Sequence, residues 1–147
     1  MIALGADHGG VELKDAIKKY LDDNSIEYKD FGTFDENSVD YAPIASKVAH
    51  MVVDGKAERG ILCCGTGIGM SIAANKVKGI RAACCADAYS VEKTRQHNNA
   101  NILCLGGRVI DEKKAVELAD IFLRTEFEGG RHQRRIDEIA AIERGEL

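Results

Sequence analysis

Two short stretches hold residues whose types and spacing could do chemistry. GADHGG (5–10) sets Asp7 and His8 ahead of paired glycines, and CGTGIG (64–69) sets Cys64 ahead of Gly65, Gly67 and Gly69. A cysteine that ends a strand and precedes glycines opening a helix sits where free amides and the helix dipole favour a thiolate. Such a sulfur can serve as a base, while the amides of the same turn can hold an anion. Strand alternation sends Cys63 to the opposite face, so Cys64 is the reactive candidate of the doublet and Cys63 is core. Neither turn is a standard nucleotide loop. CGTGIGMS lacks the GK[ST] ending that puts a lysine on a terminal phosphate, and Met70 stands where GxGxxG needs its last glycine.

Three further groups complete the set. His97 and Asn98, in RQHNNAN, close a helix ahead of an apolar strand, so His97 reads equally as a helix cap and as a site residue. In EGGRHQRR, Arg131 and Arg135 are four apart on one helix face, where two guanidiniums could clamp one phosphate. Cations at a helix N-terminus oppose its dipole, which favours an anionic ligand there. Arg108, after Gly106 and Gly107, is a third candidate. The four histidines show no HExxH spacing, so no metal site is expected. Five cysteines without CxxC spacing argue against a zinc site or disulfide framework and for a reducing, cytoplasmic setting.

These groups need elements to carry them. The apolar runs IALGA (2–6), GILCC (60–64), IRAACCA (80–86) and NILCLGG (101–107) read as parallel strands buried on both faces. The alternating run EYKDFG (27–32) reads as an outer strand. Leu13, Ala16, Ile17, Tyr20 and Leu21 form one helical face, as do Ile44, Val48, Met51 and Val52, with Pro43 in the first turn and Gly55 past the end. Ala115, Leu118, Ala119, Phe122 and Leu123 repeat the pattern. This alternation implies an α/β fold: a three-layer αβα, Rossmann-like, doubly wound five-stranded parallel sheet with right-handed crossovers. Ligands bind such sheets beyond the carboxyl ends of the strands, where strand order reverses. With an order beginning 2-1-3, the two glycine turns flank one crevice. Residues 29–43 are the longest irregular stretch and a candidate active-site loop. The final segment, from Arg131, reads as a helix whose apolar side (Ile136, Ile139, Ala140, Ile142) reaches a partner subunit.

Composition bounds the rest. The 147 residues suit one domain, 1–147, with 45% apolar and 30% charged residues. A net charge of −4 supplies no basic field for nucleic acid or an anionic membrane. No apolar run approaches the ~20 residues of a spanning helix, and the N-terminus shows no signal peptide. A thiolate base, a histidine acid/base, amides for an oxyanion and arginines for phosphate together fit proton transfer on a phosphorylated sugar.

GADHGG, CGTGIGMSIAANK, RQHNNAN and EGGRHQRR, in this order and over essentially the whole chain, resemble the ribose-5-phosphate isomerase B family. The wider family also holds allose-6-phosphate and galactose-6-phosphate isomerases. The resemblance implies a metal-independent, cofactor-free interconversion of ribose 5-phosphate and ribulose 5-phosphate through a cis-enediolate. It implies Cys64 as catalytic base, His97 as the acid/base that opens the sugar ring, and Thr66 as an aid to proton transfer. Asp7, His8, Asn98 and Arg108 match substrate contacts, and Gly65, Thr66, Gly67, Ile68 and Gly69 match the loop that holds the enediolate. Arg131 and Arg135, with His8, match the phosphate site. Homodimers, sometimes tetramers, with active sites shared between subunits are implied as well. Two other readings stand beside it: an isomerase of a six-carbon sugar phosphate, and a non-catalytic phosphate- or nucleotide-binding module on a flavodoxin-like sheet.

Overall fold

The computed structural model describes every residue from Met1 to Leu147. In chain order the elements are β1 (Ile2–Ala6), α1 (Val11–Asp23), β2 (Tyr28–Asp30), α2 (Tyr41–Val53), β3 (Arg59–Cys64), α3 (Ile68–Ala74), β4 (Ala82–Cys84), α4 (Ala88–Asn98), β5 (Ile102–Gly106), α5 (Glu112–Arg124) and α6 (Arg131–Glu143). All four strand pairings are parallel, in the order β2-β1-β3-β5-β4. Strand order therefore reverses between β1 and β3, the position at which the two glycine turns were expected to face each other.

The side chains divide by strand alternation. Leu4, Ala6, Ile61, Cys63, Leu103 and Leu105 pack under α1 and α5. Ala3, Leu62, Cys64, Ile102 and Cys104 pack under α2 and α3. Pro43 is the third residue of α2, where its missing N–H costs nothing, and Gly55 follows the helix with φ +75°. Asp87 and Asp111 begin α4 and α5 by accepting hydrogen bonds from the amides of Ser90 and Lys114.

The run 80–86 differs from the sequence expectation. Only Ala82–Cys84 forms a strand, and it lies half-exposed at the sheet edge because β5 inserts between it and β3. Small alanines and cysteines bury too little surface to hold a central place, whereas ILCLG of β5 is fully buried.

The sequence also gave no hint of a buried charge. Lys14, on the inner side of α1, is 1% exposed. Its ammonium donates to both Asp30 oxygens (2.8 and 2.9 Å) and to the Thr33 carbonyl, while Lys18 reaches Asp30 at 2.9 Å. Burial resists ionisation of Asp30, but the hydrogen bonds from Lys14 and Lys18 outweigh it and hold the carboxyl below its ordinary value of 3.8. The cluster ties the end of β2 to α1, and so anchors the irregular segment 31–40. Asp30→Asn removes the only carboxylate touching Lys14 and is expected to cost about 3 kcal/mol in urea unfolding. Because the folded carboxyl titrates below its unfolded value, its contribution is full above the ordinary carboxylate range and is lost as pH falls through it. The gap between the two proteins should therefore narrow on acidification below about pH 4.

Candidate active site

At the carboxyl edge of β1, β3 and β5 three turns pack backbone against backbone. A Cβ on Gly10 would strike the Cys63 carbonyl, one on Gly107 the Gly9 carbonyl, and one on Gly106 the Thr66 backbone. Glycine is required here for close approach, not for flexibility. Cys64 ends β3 in this edge and its Sγ accepts a hydrogen bond from the Gly67 amide at 3.1 Å. Gly67 turns the chain into α3 with φ +83°, and the Ile68 amide donates to Thr66 Oγ1 at 3.2 Å. The amides of Gly65, Thr66 and Gly69 make no hydrogen bond within the chain, which leaves three free donors in the turn that follows the sulfur. Cys63 points to the other face, 1% exposed, where burial pushes its thiol far above the ordinary range.

Asp7 and His8 stand opposite. Asp7 Oδ1 accepts the Gly9 amide at 2.9 Å, which fixes the turn. His8 Nδ1 accepts the Val39 amide at 3.3 Å, which places the ring proton on Nε2 and ties the irregular segment to the site. The Arg108 guanidinium covers the open side of Gly65: a Cβ there would lie 2.9 Å from its Nη1. His8, Gly9, Gly107 and Arg108 line a cavity of about 560 Å³ that opens on the α1/α5 side of this edge, among the carboxylates of Glu12, Glu36, Asp111 and Glu112. Neither Cys64 nor the 65–69 loop lines it; the turns meet through their backbones instead. Asp7, His8, Cys64, the 65–69 loop and Arg108 are thus brought together.

His97, Asn98, Arg131 and Arg135 are not brought to them. A crossover helix runs antiparallel to its strands, so α4 begins past the carboxyl end of β4 and ends at the amino end of β5. Cys64 is level with Gly106 in β5, whereas Asn98 precedes the start of that strand at Ile102. The four steps along β5 from Ile102 to Gly106 alone amount to about 13 Å of strand. At this far end the His97 ring stacks on His132, with centroids 4.1 Å apart and planes 12° apart. Glu128 Oε1 lies 3.6 Å from Nε2 of both rings. His97 does not cap α4; Arg81 and Arg95 take the carbonyls of Asn98, Asn99 and Ala100. Arg131 and Arg135 are exposed on one face of α6, and neither they nor Arg108 is in an ion pair within the chain.

His132 and Glu128 escaped the sequence reading because they lay inside a segment read only for its arginines. The ligating atoms of His97, Glu128 and His132 lie within 4.8 Å of one another. Near-parallel stacked rings cannot both aim an in-plane lone pair at one ion, and the flanking arginines repel a cation. Burial, then the neighbouring His97 and Arg131, holds the His132 imidazole below its ordinary value of 6.5.

A family model described as Ribose/Galactose Isomerase matches residues 2–139. The chain belongs to this family. It is 46% identical over 142 residues to the ribose-5-phosphate isomerase B of Escherichia coli, covering 97% of this chain and 95% of that one. A relative in Pectobacterium atrosepticum, named D-erythrulose-4-phosphate isomerase, is 45% identical over 148 residues, covering 99% of this chain and 96% of the relative. Among solved structures, the Clostridium thermocellum ribose-5-phosphate isomerase B is 48% identical and superposes with a TM-score of 0.96 over 99% of each chain. The protein is thus a sugar-phosphate isomerase with the three-layer fold of its relatives, and no helix is long and apolar enough to cross a membrane.

Proposed function

We propose that the protein interconverts D-ribose 5-phosphate and D-ribulose 5-phosphate through a cis-enediolate. The observation that carries the mechanism is Cys64 at the strand end, its sulfur bonded by the Gly67 amide and followed by a turn with free amides. In the open-chain aldose the Cys64 thiolate takes the C2 proton. The C–H electrons form the C1–C2 double bond and the carbonyl oxygen becomes an oxyanion, held by the 65–69 amides. Thr66 Oγ1 relays a proton between the two enediolate oxygens, and the proton on sulfur returns to C1 to leave the ketose. His97 opens the furanose by taking the C1 hydroxyl proton and protonating the ring oxygen. Asp7, Asn98 and Arg108 orient the sugar, while His8, Arg131 and Arg135 hold its phosphate. The isomerisation is internally redox-balanced, so the scheme calls for no cofactor and no metal.

This scheme needs His97 and Cys64 within one substrate's length, which one chain cannot supply. We therefore place the active sites between two subunits of a homodimer, with the end of α4 and the start of α6 from one subunit facing the Cys64 edge of the other. Ile68 and Ile72, four apart on α3 beside Cys64, are 55% and 58% exposed and suit a subunit contact. Five free cysteines accord with a cytoplasmic enzyme.

The family name and the Pectobacterium relative leave chain length of the sugar as the point to test. Steady-state kcat/KM should favour ribose 5-phosphate over D-erythrulose 4-phosphate, allose 6-phosphate and galactose 6-phosphate by about tenfold or more, since one carbon unit in a fitted pocket is worth that much. A higher kcat/KM on a four- or six-carbon sugar would reassign the substrate and leave the proton-transfer chemistry standing.

A further inference from the structure

Three guanidiniums with no counter-ion converge at the amino edge of the sheet, opposite Cys64. Arg59 begins β3, Arg81 immediately precedes β4, and Arg95 lies in the last turns of α4, 3% exposed. With Asn99 and Asn101 they line a polar cleft of about 610 Å³. None of the three forms an ion pair within the chain. Glu58 and Glu126 also line the cleft, but neither reaches an arginine within ion-pair distance.

The arginines are held in place from behind. Arg59 Nη1 donates to the Phe122 carbonyl, Arg95 donates through Nε to Thr125 and through Nη1 to Ala100, and Arg81 donates through Nε and Nη2 to Asn99. Two of them lie over the Phe122 ring, the Arg59 guanidinium carbon 5.7 Å and that of Arg95 5.8 Å from its centroid. These contacts complement the negative ends of α4 and α5. They do not exhaust the donors: Arg59 Nε and Nη2, Arg81 Nη1 and Arg95 Nη2 make no hydrogen bond within the chain. Burial, then repulsion from Arg59, lowers the Arg95 guanidinium to about 10. An arrangement that serves only to cap carbonyls has no need of three mutually repelling cations facing one cleft.

We propose that this cleft binds a small multivalent oxyanion, the phosphate or pyrophosphate group of a phosphorylated metabolite. The free guanidinium donors suit phosphate oxygens, and the fixed placement of the forks lowers the ordering cost of binding. Arg81 also donates to the carbonyls of Asn98 and Asn99, directly after His97, so the cleft adjoins the last turn of α4.

Inorganic pyrophosphate titrated into the 15N-labelled full-length protein at low salt tests this. The expected result is saturable shifts of the Asn99, Asn101 and Phe127 amides. Arg59→Gln should weaken that binding about tenfold, the scale of a lost charge-assisted contact. Glu126→Gln removes a repelling carboxylate and should tighten it about threefold, an outcome that misfolding cannot mimic. Arg131→Gln, at the phosphate end of the proposed catalytic site, should leave these shifts in place. Shifts that fail to saturate, that ignore Glu126→Gln, or that vanish with Arg131→Gln would overturn the proposal.

Discussion

Cys64→Ala is expected to lower kcat for aldose–ketose isomerisation about 10²- to 10⁴-fold while the protein stays folded, the range for loss of a positioned general base. The sulfur is the one basic side-chain atom at the end of β3, and the Gly67 amide and the 65–69 turn are arranged around it. Removing it leaves the amides and the arginines, so substrate should still bind and KM should move far less than kcat. Cys63→Ala is the informative control. Its sulfur sits one residue earlier in the same strand, on the α1/α5 side of the sheet, buried among Leu4, Ile61 and Leu105. That variant should lose about 1–2 kcal/mol of stability to the cavity and keep its turnover. Steady-state rates with urea unfolding of both variants separate the two effects. Near-normal turnover in Cys64→Ala, or a folded but dead Cys63→Ala, would sink the assignment of the base.

The sheet and its helices were legible because their signals are local. Apolar runs of five residues, a proline three residues into α2 and a glycine just past its end act within a few residues of chain. What escaped depends on contacts distant in sequence. Nothing near residue 82 says that a strand some twenty residues later will insert beside it and push β4 to the edge. Lys14 occupies a slot that periodicity assigns to the core, and only its meeting with Asp30 makes burial of the charge tolerable. The same limit applies to the site. Asp7, His8 and Cys64 could be placed together because strand ends and glycine turns imply a carboxyl edge. His97 was read alongside them by residue type, and only the direction of α4 reveals that it lies at the other end of the sheet.

That separation yields the second large effect. Cys64→Ala and His97→Ala chains, each nearly inactive on ribose 5-phosphate alone, should regain about a quarter of wild-type activity per chain when mixed and allowed to exchange subunits. In a twofold dimer with shared sites, the mixed dimer joins Cys64 of one chain to His97 of the other in one intact site. Its second site carries both substitutions and is dead. Random pairing makes half of the dimers mixed, and half of their sites whole. Sites confined to single chains would give no recovery under any mixing. The double variant Cys64→Ala/His97→Ala supplies the converse measurement. Mixed one to one with wild type, it spoils every site of the mixed dimer, so activity should fall to about half of what the wild-type chains give alone. Independent sites would leave it undiminished. Recovery in the first mixture together with poisoning in the second would require that Cys64 and His97 act on one substrate from two subunits, which is the only way the direction of α4 allows them to meet.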